Sequence, residues 1–470
     1  MRFKTPLASA AFLFLPQAWA TEGFSGPLRY DGLILRKTGQ TETNQPLFND
    51  IHRSIDQSIL RQTISFLTGE QPSRVEQYLA TPEPLLFNYD VQEIGQKLLK
   101  HMIKAQNQPP TAPPSTPATV FPPYGPQSGI SAILFAWAHY VTYGDIAILK
   151  ENYGSFREFL DEATSHAQSN ILIDSLGDWG ANDTTTPKDL VGTAKYAQGA
   201  HTMFKIAHVL DHIVDSWKYE ALHEDILEAF NKKFRNATNP YMISYGSGSQ
   251  ASDALALDIG AVNASDQQAV ETHSNTASIG PNGYFWSVGA AGLPALFRYR
   301  SINYTSMYFL NELMLKTDYP TSYGYTLAHP NDTEHIISDY GDTWIYSLAG
   351  MRQAEDSVAW KKILFEPVCV ENLTYASTQF KSVRGLAAAT WEQKNITFEY
   401  NVTVPATASG EITIQSPLNN ITINGQLYQN QTLTGVKSVG QIGTKTRINV
   451  GPGNFSISAK NKEMYFCGQK

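Results

Sequence analysis

Two glutamates that flank an arginine are the first residues whose types and spacing could support chemistry. Glu70 lies next to a turn, and Arg74 stands two residues before Glu76, after a proline that ends a helical pattern. A carboxylic acid can protonate a leaving group, while a second carboxylate activates water or attacks the substrate. The segment therefore predicts one half of an acid–base pair, with an arginine that could steady the carboxyl group.

A second segment places an aromatic ring beside a carboxylate, in the order Gly177, Asp178, Trp179. The face of an indole stacks on the apolar face of a sugar ring, and a carboxylate accepts hydrogen bonds from the sugar hydroxyls. The residues alone leave an alternative open, in which Asp178 caps a helix and Trp179 belongs to the core. The pair is a candidate for sugar binding, and the residues alone do not decide between the two.

The first segment resembles one in the bacterial-type α-L-rhamnosidases. That family has an Asp-Cys-Pro-x-Arg-Asp-Glu segment whose last residue is the general acid, and this chain matches it at Pro72, Arg74 and Glu76. Glu70 replaces a sugar-binding Asp of the family. The resemblance implies that Glu76 is the general acid and that Glu70 and Arg74 bind the substrate.

The resemblance covers the chain from about residue 60 to the C-terminus. It implies that Asp178 and Trp179 contribute an acid and an indole to the sugar subsite. Further segments similar to the family follow in the expected order, at residues 143–145, 250–257, 315–320, 344–350 and 365–405.

The second carboxylate is predicted from the same resemblance. The family places its general base in an Ala-Thr-Thr-x-Trp-Glu segment shortly after a Tyr-Pro-x-Trp-Gly turn, and here the turn begins at Tyr319. Glu334, which follows a threonine, is the nearest match and is expected to be the base; Asp332 and Asp339 stay open as alternatives. The resemblance implies inverting hydrolysis, in which the two carboxyl groups stand about 6.5–9.5 Å apart to admit a water molecule.

Departures from the family pattern keep two other functions open. Val75 stands where the family has Asp, and Tyr78 and Ala80 stand where a Trp is expected. The alternatives to an α-L-rhamnosidase are a protein of this fold that only binds sugar and a related glycosidase with another sugar specificity. A carboxylate pair at the inverting distance would favour an enzyme, and a filled pocket would favour a binding protein.

The periodicity of apolar residues predicts the elements that position these side chains. It is helical from about residue 45 to 366 and changes to a period of two afterwards. Predicted helices include residues 91–105 and a hairpin over residues 203–234, and residues 396–404 alternate as a half-buried strand. A long series of helical hairpins predicts a toroid, and the resemblance makes it an (α/α)6 toroid followed by a small antiparallel β-sandwich.

Four segments are expected along the chain of 470 residues. Residues 1–20 have the basic, apolar and small-residue pattern of a signal peptide. An N-terminal extension over 21–44 precedes the catalytic domain at 45–366 and the C-terminal β domain at 367–470. Eleven Asn-x-Ser/Thr acceptors agree with a secreted, extracellular glycoprotein.

The cysteines indicate a disulfide, and the net charge limits the classes of partner. Cys369 and Cys467 are the only cysteines of the sequence, bracket the β domain, and are expected to be bridged in an oxidising compartment. The net charge of −8 argues against nucleic acid and anionic membranes as partners. No metal site and no cofactor are predicted, the expected partner is a carbohydrate, namely a rhamnoside, and the oligomeric state is not indicated.

Overall fold

The computed structural model describes the greater part of the chain. The described residues are 28–30, 33–68, 82–106, 126–173, 175–181, 183–277, 279–280, 283–284, 287–302, 341–368, 373–428 and 433–460. Several predicted features lie outside these residues, namely the signal peptide, Glu70, Arg74, Glu76, Glu334, Asp332, Asp339, Cys369 and Cys467.

Helices dominate the described chain up to residue 347. They are α1 (Pro46–Thr68), α2 (Glu83–Asn88), α3 (Gln92–Gln106), α4 (Pro126–Tyr143), α5 (Ile146–His166), α6 (Lys188–Val209), α7 (Ile213–Phe234), α8 (Gln250–Asp258), α9 (Gln267–Ala277), α10 (Gly292–Ile302) and α11 (Asp342–Ser347). Sequence neighbours pack as pairs, α4 with α5, α6 with α7 and α8 with α9. The predicted hairpin of α6 and α7 is confirmed.

A second set of contacts joins helices that are not neighbours in sequence. Helix α6 packs on α4 and on α8, α8 packs on α10, and α10 packs on α11. These helices therefore form an inner layer, whereas α5, α7 and α9 lie outside it. Helix α6 is buried on most of its surface, as expected of an inner helix, and keeps Lys195 and Gln198 partly accessible on one face.

Short strands accompany the helices. Strands β1 (Leu28–Tyr30), β2 (Leu33–Lys37) and β4 (Tyr89–Asp90) form one sheet, and β3 is Gly39–Thr43. Three two-stranded ribbons connect or precede helices, built from β5 (Ala167–Gln168), β6 (Ile171–Leu172), β7 (Arg235–Asn236), β8 (Ser244–Tyr245), β9 (Ile279–Gly280) and β10 (Gly283–Tyr284).

The C-terminal part consists of two sheets. Their strands are β11 (Met351–Gln353), β12 (Lys362–Phe365), β13 (Tyr375–Ser382), β14 (Gly385–Lys394), β15 (Thr397–Val404), β16 (Ser409–Ile414), β17 (Ile421–Ile423), β18 (Gln426–Leu427), β19 (Val436–Ile442), β20 (Lys445–Val450) and β21 (Gly453–Lys460). The order is β11-β12-β16-β20-β19 in one sheet and β18-β17-β21-β15-β14-β13-β3 in the other. The predicted alternation is confirmed along β15, where Phe398, Tyr400, Val402 and Val404 are all buried, whereas Ile396 precedes the strand and is exposed.

The C-terminal sheets also contain strands that lie outside residues 367–470. Strand pairing begins at Met351, before the expected boundary at residue 366. At the other end of the chain, β3 of the expected N-terminal extension pairs with β13 and forms an edge of the seven-stranded sheet. This pairing supplies β13 with backbone partners that an exposed strand edge would lack.

Buried hydrogen bonds tie the seven-stranded sheet to the end of the helical part. The Trp391 indole Nε1 donates to the Leu348 carbonyl at 2.9 Å, and the Tyr400 hydroxyl donates to the Ala349 carbonyl at 2.9 Å. Large aromatic side chains can pack in the core while their polar tips find partners. Among the described helices, none combines the length and apolar character that crossing a bilayer requires.

Candidate active site

The turn that carries Asp178 and Trp179 is shaped by two glycines. Gly177 and Gly180 have φ angles of 77° and 74°, in the left-handed region that favours glycine. The turn precedes α6 and presents Asp178 and Trp179 between the two glycines. The sequence therefore fixes the position of this pair by local backbone conformation.

The Asp178 carboxylate accepts three backbone N–H groups at the start of α10. Its Oδ2 accepts from Gly289 at 2.7 Å, and its Oδ1 accepts from Ala291 at 2.9 Å and Gly292 at 2.8 Å. The first N–H groups of a helix have no partner within the helix, so a carboxylate there is a cap. The cap that the residues left open as an alternative is thus present, across more than a hundred residues of sequence.

The cap uses most of the hydrogen-bond acceptor positions of the Asp178 carboxylate. A carboxylate offers about four acceptor positions, and three are used here. Burial raises the pKa of the Asp178 carboxyl above its ordinary value, and the three N–H donors act in the opposite direction. The predicted sugar contact of Asp178 stays a prediction, and it would have to use the remaining acceptor position.

Trp179 is held by the same segment. Its carbonyl oxygen accepts the Ala290 N–H at 2.8 Å, and its side chain is partly buried against the core. A Cβ at Gly289 would lie 2.2 Å from that carbonyl oxygen, so the approach requires glycine. The turn and the start of α10 therefore form one closely packed unit.

Three loops meet around this unit. The Thr186 and Ser249 hydroxyls are 2.7 Å apart, and the Ser287 N–H donates to the Gln250 side-chain oxygen at 3.1 Å. Asp183 N–H also donates to the Ser287 carbonyl at 3.1 Å. Because these residues precede or begin α6, α8 and α10, the N-terminal ends of the three inner helices share one face of the protein.

A cluster of charged residues lies deeper along the same helices. The Arg298 guanidinium donates from Nε and Nη2 to the two oxygens of Asp258 at 2.7 and 2.8 Å. Gln198 donates to Asp258 Oδ2 at 2.7 Å, and Arg298 Nη1 is 3.9 Å from Glu83 Oε1. Lys195 stands on α6 one turn before Gln198. At 1.5 Å of helix rise per residue, the cluster lies about 10 Å from the loop face.

The charged cluster combines partial side-chain exposure with pKa values that burial shifts. Glu83 and Arg298 keep 38% and 31% of their side-chain surface accessible. Burial nevertheless raises the pKa of Glu83, against the pull of the Arg298 and Lys195 cations. Burial and the neighbouring Arg298 lower the pKa of Lys195 to about 8.

Sequence reasoning did not single out Glu83, Lys195, Asp258 or Arg298. The four residues come from four helices, so no local spacing connects them. One signal was present in the sequence, since Lys195 follows Ala194 and precedes Tyr196 on a helix that is otherwise largely apolar. A lysine in such a helix needs a carboxylate partner or a route to solvent.

The segment Tyr143 to Asp145 positions helices. Asp145 caps α5 by accepting the Ala147 N–H at 3.0 Å, and the Tyr143 hydroxyl accepts the Val91 N–H at 2.9 Å. Its similarity to the family thus reflects a structural connection between α3, α4 and α5 in this chain.

A buried polar network joins α1 and α2, which flank the predicted acid segment, to α11, which follows the predicted base segment. Asp342 Oδ1 is 2.6 Å from His52 Nδ1, and Asp342 Oδ2 accepts from the Asn88 amide at 2.6 Å. All three side chains are buried. Across the described part of the chain, no group of three or more His, Cys, Asp or Glu residues is placed to hold a metal ion.

The fold and the face define a class of protein, the six-hairpin glycosidases. The sequence profile of the bacterial alpha-L-rhamnosidase six-hairpin glycosidase domain matches residues 36–335, and that of the bacterial alpha-L-rhamnosidase C-terminal domain matches residues 350–422. The first match alone covers more than half of the chain. The chain belongs to the bacterial α-L-rhamnosidase family.

Individual relatives are distant and longer. An alpha-L-rhamnosidase of Formosa agariphila is 25% identical over 70% of this chain, and one of Alteromonas is 23% identical over 60%. The chain spans 38% and 34% of their lengths. It therefore corresponds to only part of these curated relatives.

Solved structures have the same fold. The alpha-L-rhamnosidase of Dictyoglumus thermophilum superposes with a TM-score of 0.76 at 22% identity, covering 91% of this chain and 51% of that one. The Streptomyces avermitilis alpha-L-rhamnosidase, solved in complex with L-rhamnose, gives 0.74 at 18% identity, covering 91% and 42%. The Aspergillus terreus enzyme gives 0.72 at 18% identity, covering 90% and 50%.

Proposed function

We propose that this protein is a glycoside hydrolase that releases terminal rhamnose from α-L-rhamnosides with inversion of configuration. Glu76 is the proposed general acid and Glu334 the proposed general base, with Glu70 and Arg74 contacting the sugar. The observation that carries the proposal is the loop face at the N-terminal ends of α6, α8 and α10, which Asp178 fixes in place. Family membership adds the substrate class, since the relatives are alpha-L-rhamnosidases.

The loop face and the charged cluster supply groups that suit a sugar. Trp179 supplies an indole at the loop face, and Glu83 supplies a partly accessible carboxylate in the charged cluster. A sugar needs both, because its C–H face is apolar and its hydroxyl groups require strong acceptors.

A second candidate is a sugar-binding protein without hydrolytic activity. It is favoured by Val75 and Ala80, which replace an acid and a Trp of the family's catalytic segment. The Asp178 cap would keep the loop face intact in such a protein. A related glycosidase with another sugar specificity is the remaining alternative.

A substrate screen separates the three functions. The secreted protein is incubated with aryl α-L-rhamnosides and with a panel of other aryl glycosides, and release of the aryl group is measured. We expect hydrolysis of the rhamnosides. Hydrolysis of a different glycoside would reassign the sugar, and sugar binding without any hydrolysis would support the binding protein. As the control, Glu76→Gln keeps the shape of the side chain but cannot deliver a proton.

The architecture is proposed as an (α/α)6 toroid followed by a β-sandwich. The alternation of inner and outer helices supports the toroid, and it places α4, α6, α8 and α10 around a common centre. A Cβ at Gly410 of the five-stranded sheet would lie 3.0 Å from Val404 of the seven-stranded sheet, which supports face-to-face packing.

Secretion, N-glycosylation and the Cys369–Cys467 disulfide are proposed together. The acceptors Asn236, Asn263, Asn395, Asn401 and Asn454 are exposed, as a glycan requires. Alkylation of the purified protein without reductant tests the disulfide: a bridged pair leaves no thiol to modify, and two modified thiols would contradict the pairing.

A further inference from the structure

We propose that Asn401 and Asn454 carry N-glycans that lie side by side on the outer face of the seven-stranded sheet and shield each other from trimming enzymes. The inference rests on the proposed secretion and N-glycosylation, and it does not depend on the proposed hydrolysis. Each asparagine begins an acceptor tripeptide, at residues 401–403 on β15 and at residues 454–456 on β21.

The two tripeptides are paired with each other in the sheet. Strands β15 and β21 are antiparallel neighbours, and their register places Asn401 opposite Ser456 and Thr403 opposite Asn454. The asparagine of each tripeptide therefore lies opposite the hydroxyl residue of the other. Asn401 and Asn454 are diagonal neighbours on the same face of the sheet, with their Cβ atoms about 7 Å apart.

Both asparagines face solvent. Asn401 and Asn454 are exposed, whereas the middle residues of the two tripeptides, Val402 and Phe455, are buried in the core. The Thr403 hydroxyl donates to Asn454 Oδ1 at 2.9 Å. An N-glycan is attached through Nδ2, so this hydrogen bond orients the Asn454 side chain without using the atom that carries the sugar.

The surface that surrounds the two asparagines is uncharged. Two rows of side chains cross β13, β14, β15 and β21 at this point, and each row contains one of the asparagines. The residues that β13 and β14 add to these rows are Ser377, Thr390, Gln379 and Ala388. No charged or aromatic side chain of these two rows separates the attachment points, so the two glycans can contact each other.

The spacing makes the two glycans crowd each other. The acceptors are more than fifty residues apart in sequence, so each can be modified before the two strands pair. After folding, two bulky branched glycans begin about 7 Å apart, which is less than the width of either one. A trimming enzyme must surround the branches that it cuts. Each glycan therefore blocks the access of the enzyme to the other.

Glycopeptide analysis of the secreted full-length protein tests this inference. The protein is produced in mammalian cells, whose Golgi enzymes convert accessible glycans to forms that resist endoglycosidase H. We expect the glycans at Asn401 and Asn454 to stay sensitive to this enzyme, and the glycan at the exposed Asn395 to resist it. Asn395 is the internal reference, because it precedes β15 and lies about 15–20 Å from Asn401 by the rise of a strand.

Removing one glycan should expose the other to trimming. Ser456→Ala destroys the second tripeptide but keeps Asn454 and its hydrogen bond from Thr403. In this variant the glycan at Asn401 should lose its sensitivity to endoglycosidase H, and Asn454→Gln should give the same result. Asn401→Gln should have the reciprocal effect on the glycan at Asn454. Asn395→Gln is the matched control and should change neither glycan.

The outcomes separate this inference from the proposals on which it rests. Absence of a glycan from every acceptor, Asn395 included, overturns the proposed N-glycosylation and the inference with it. A modified Asn395 together with an unmodified Asn401 or Asn454 overturns the inference alone. Resistance to endoglycosidase H at both sites of the wild type, or unchanged sensitivity of the Asn401 glycan in Ser456→Ala, would also contradict mutual shielding.

Discussion

Replacing Asp178 by Ala should loosen the start of α10. The substitution removes the acceptor of three N–H groups, those of Gly289, Ala291 and Gly292. Loss of a helix cap costs about 1–2 kcal/mol, and each partly buried N–H left without a partner adds about 1 kcal/mol when water replaces it only in part. We therefore expect the free energy of unfolding to fall by about 3 kcal/mol, and by about half of that for Asp178→Asn, which keeps one oxygen acceptor.

Asp178→Ala should lower the stability of the whole protein and the local protection of α10. For a helical part of about 300 residues, a loss of about 3 kcal/mol lowers Tm by about 5 °C, which calorimetry resolves. Hydrogen–deuterium exchange should accelerate in peptides from the N-terminal turn of α10. Asp183→Ala is the control in the same loop, because the half-buried Asp183 side chain accepts from the backbone and hydroxyl of the neighbouring Thr185 and not from the start of α10 among the described bonds. Its cost should stay below about 1 kcal/mol.

Unchanged stability and unchanged exchange in Asp178→Ala would contradict the role of Asp178 as a cap. If Asp178→Ala unfolds within about 0.5 kcal/mol of the wild type and exchange in α10 is unchanged, the three hydrogen bonds contribute little. If the variant keeps its stability but loses affinity for sugar, the main role of Asp178 is to bind the sugar. Loss of both stability and affinity would agree with a cap that also shapes the subsite.

Two further predictions concern two His–carboxylate pairs, His52 with Asp342 and His273 with Asp253. Asp342→Ala leaves His52 and Asn88 without their buried acceptor, so urea titration should show a loss of about 3–5 kcal/mol, and a loss below about 1 kcal/mol would contradict the assigned role. The Asp253 carboxylate raises the pKa of His273, so the protonated imidazole stabilises the fold below its ordinary pKa of 6.5 and loses this effect as the pH rises through the higher folded-state pKa. The Tm advantage of the wild type over His273→Gln should shrink with rising pH above 6.5, and a constant difference would contradict the linkage.

Periodic patterns predicted the elements well because each depends on neighbouring residues. The hairpin of α6 and α7 follows from one apolar stripe per helix, and β15 follows from strict alternation. The partner of β3 could not be predicted in this way. Its pairing with β13 joins residues more than three hundred positions apart, and only the tertiary fold brings the two edges together.

The candidate site was predictable only where its residues are neighbours in the sequence. Asp178 and Trp179 were recognised from a short motif, and the cap was recognised as an alternative. Three acceptor positions of Asp178 are filled by N–H groups of a distant loop, which no local pattern reveals. The charged cluster of Glu83, Lys195 and Arg298 was missed because three helices contribute one residue each.

The stereochemistry of the first product tests the central proposal most directly. Proton NMR is recorded during the first minutes of the reaction between the wild-type protein and an aryl α-L-rhamnoside, before the released sugar mutarotates. An inverting pair of carboxyl groups, with water between them, predicts that β-L-rhamnose is released first. Initial release of the α anomer would contradict inversion, and the absence of any released rhamnose would contradict the assignment as a rhamnoside hydrolase.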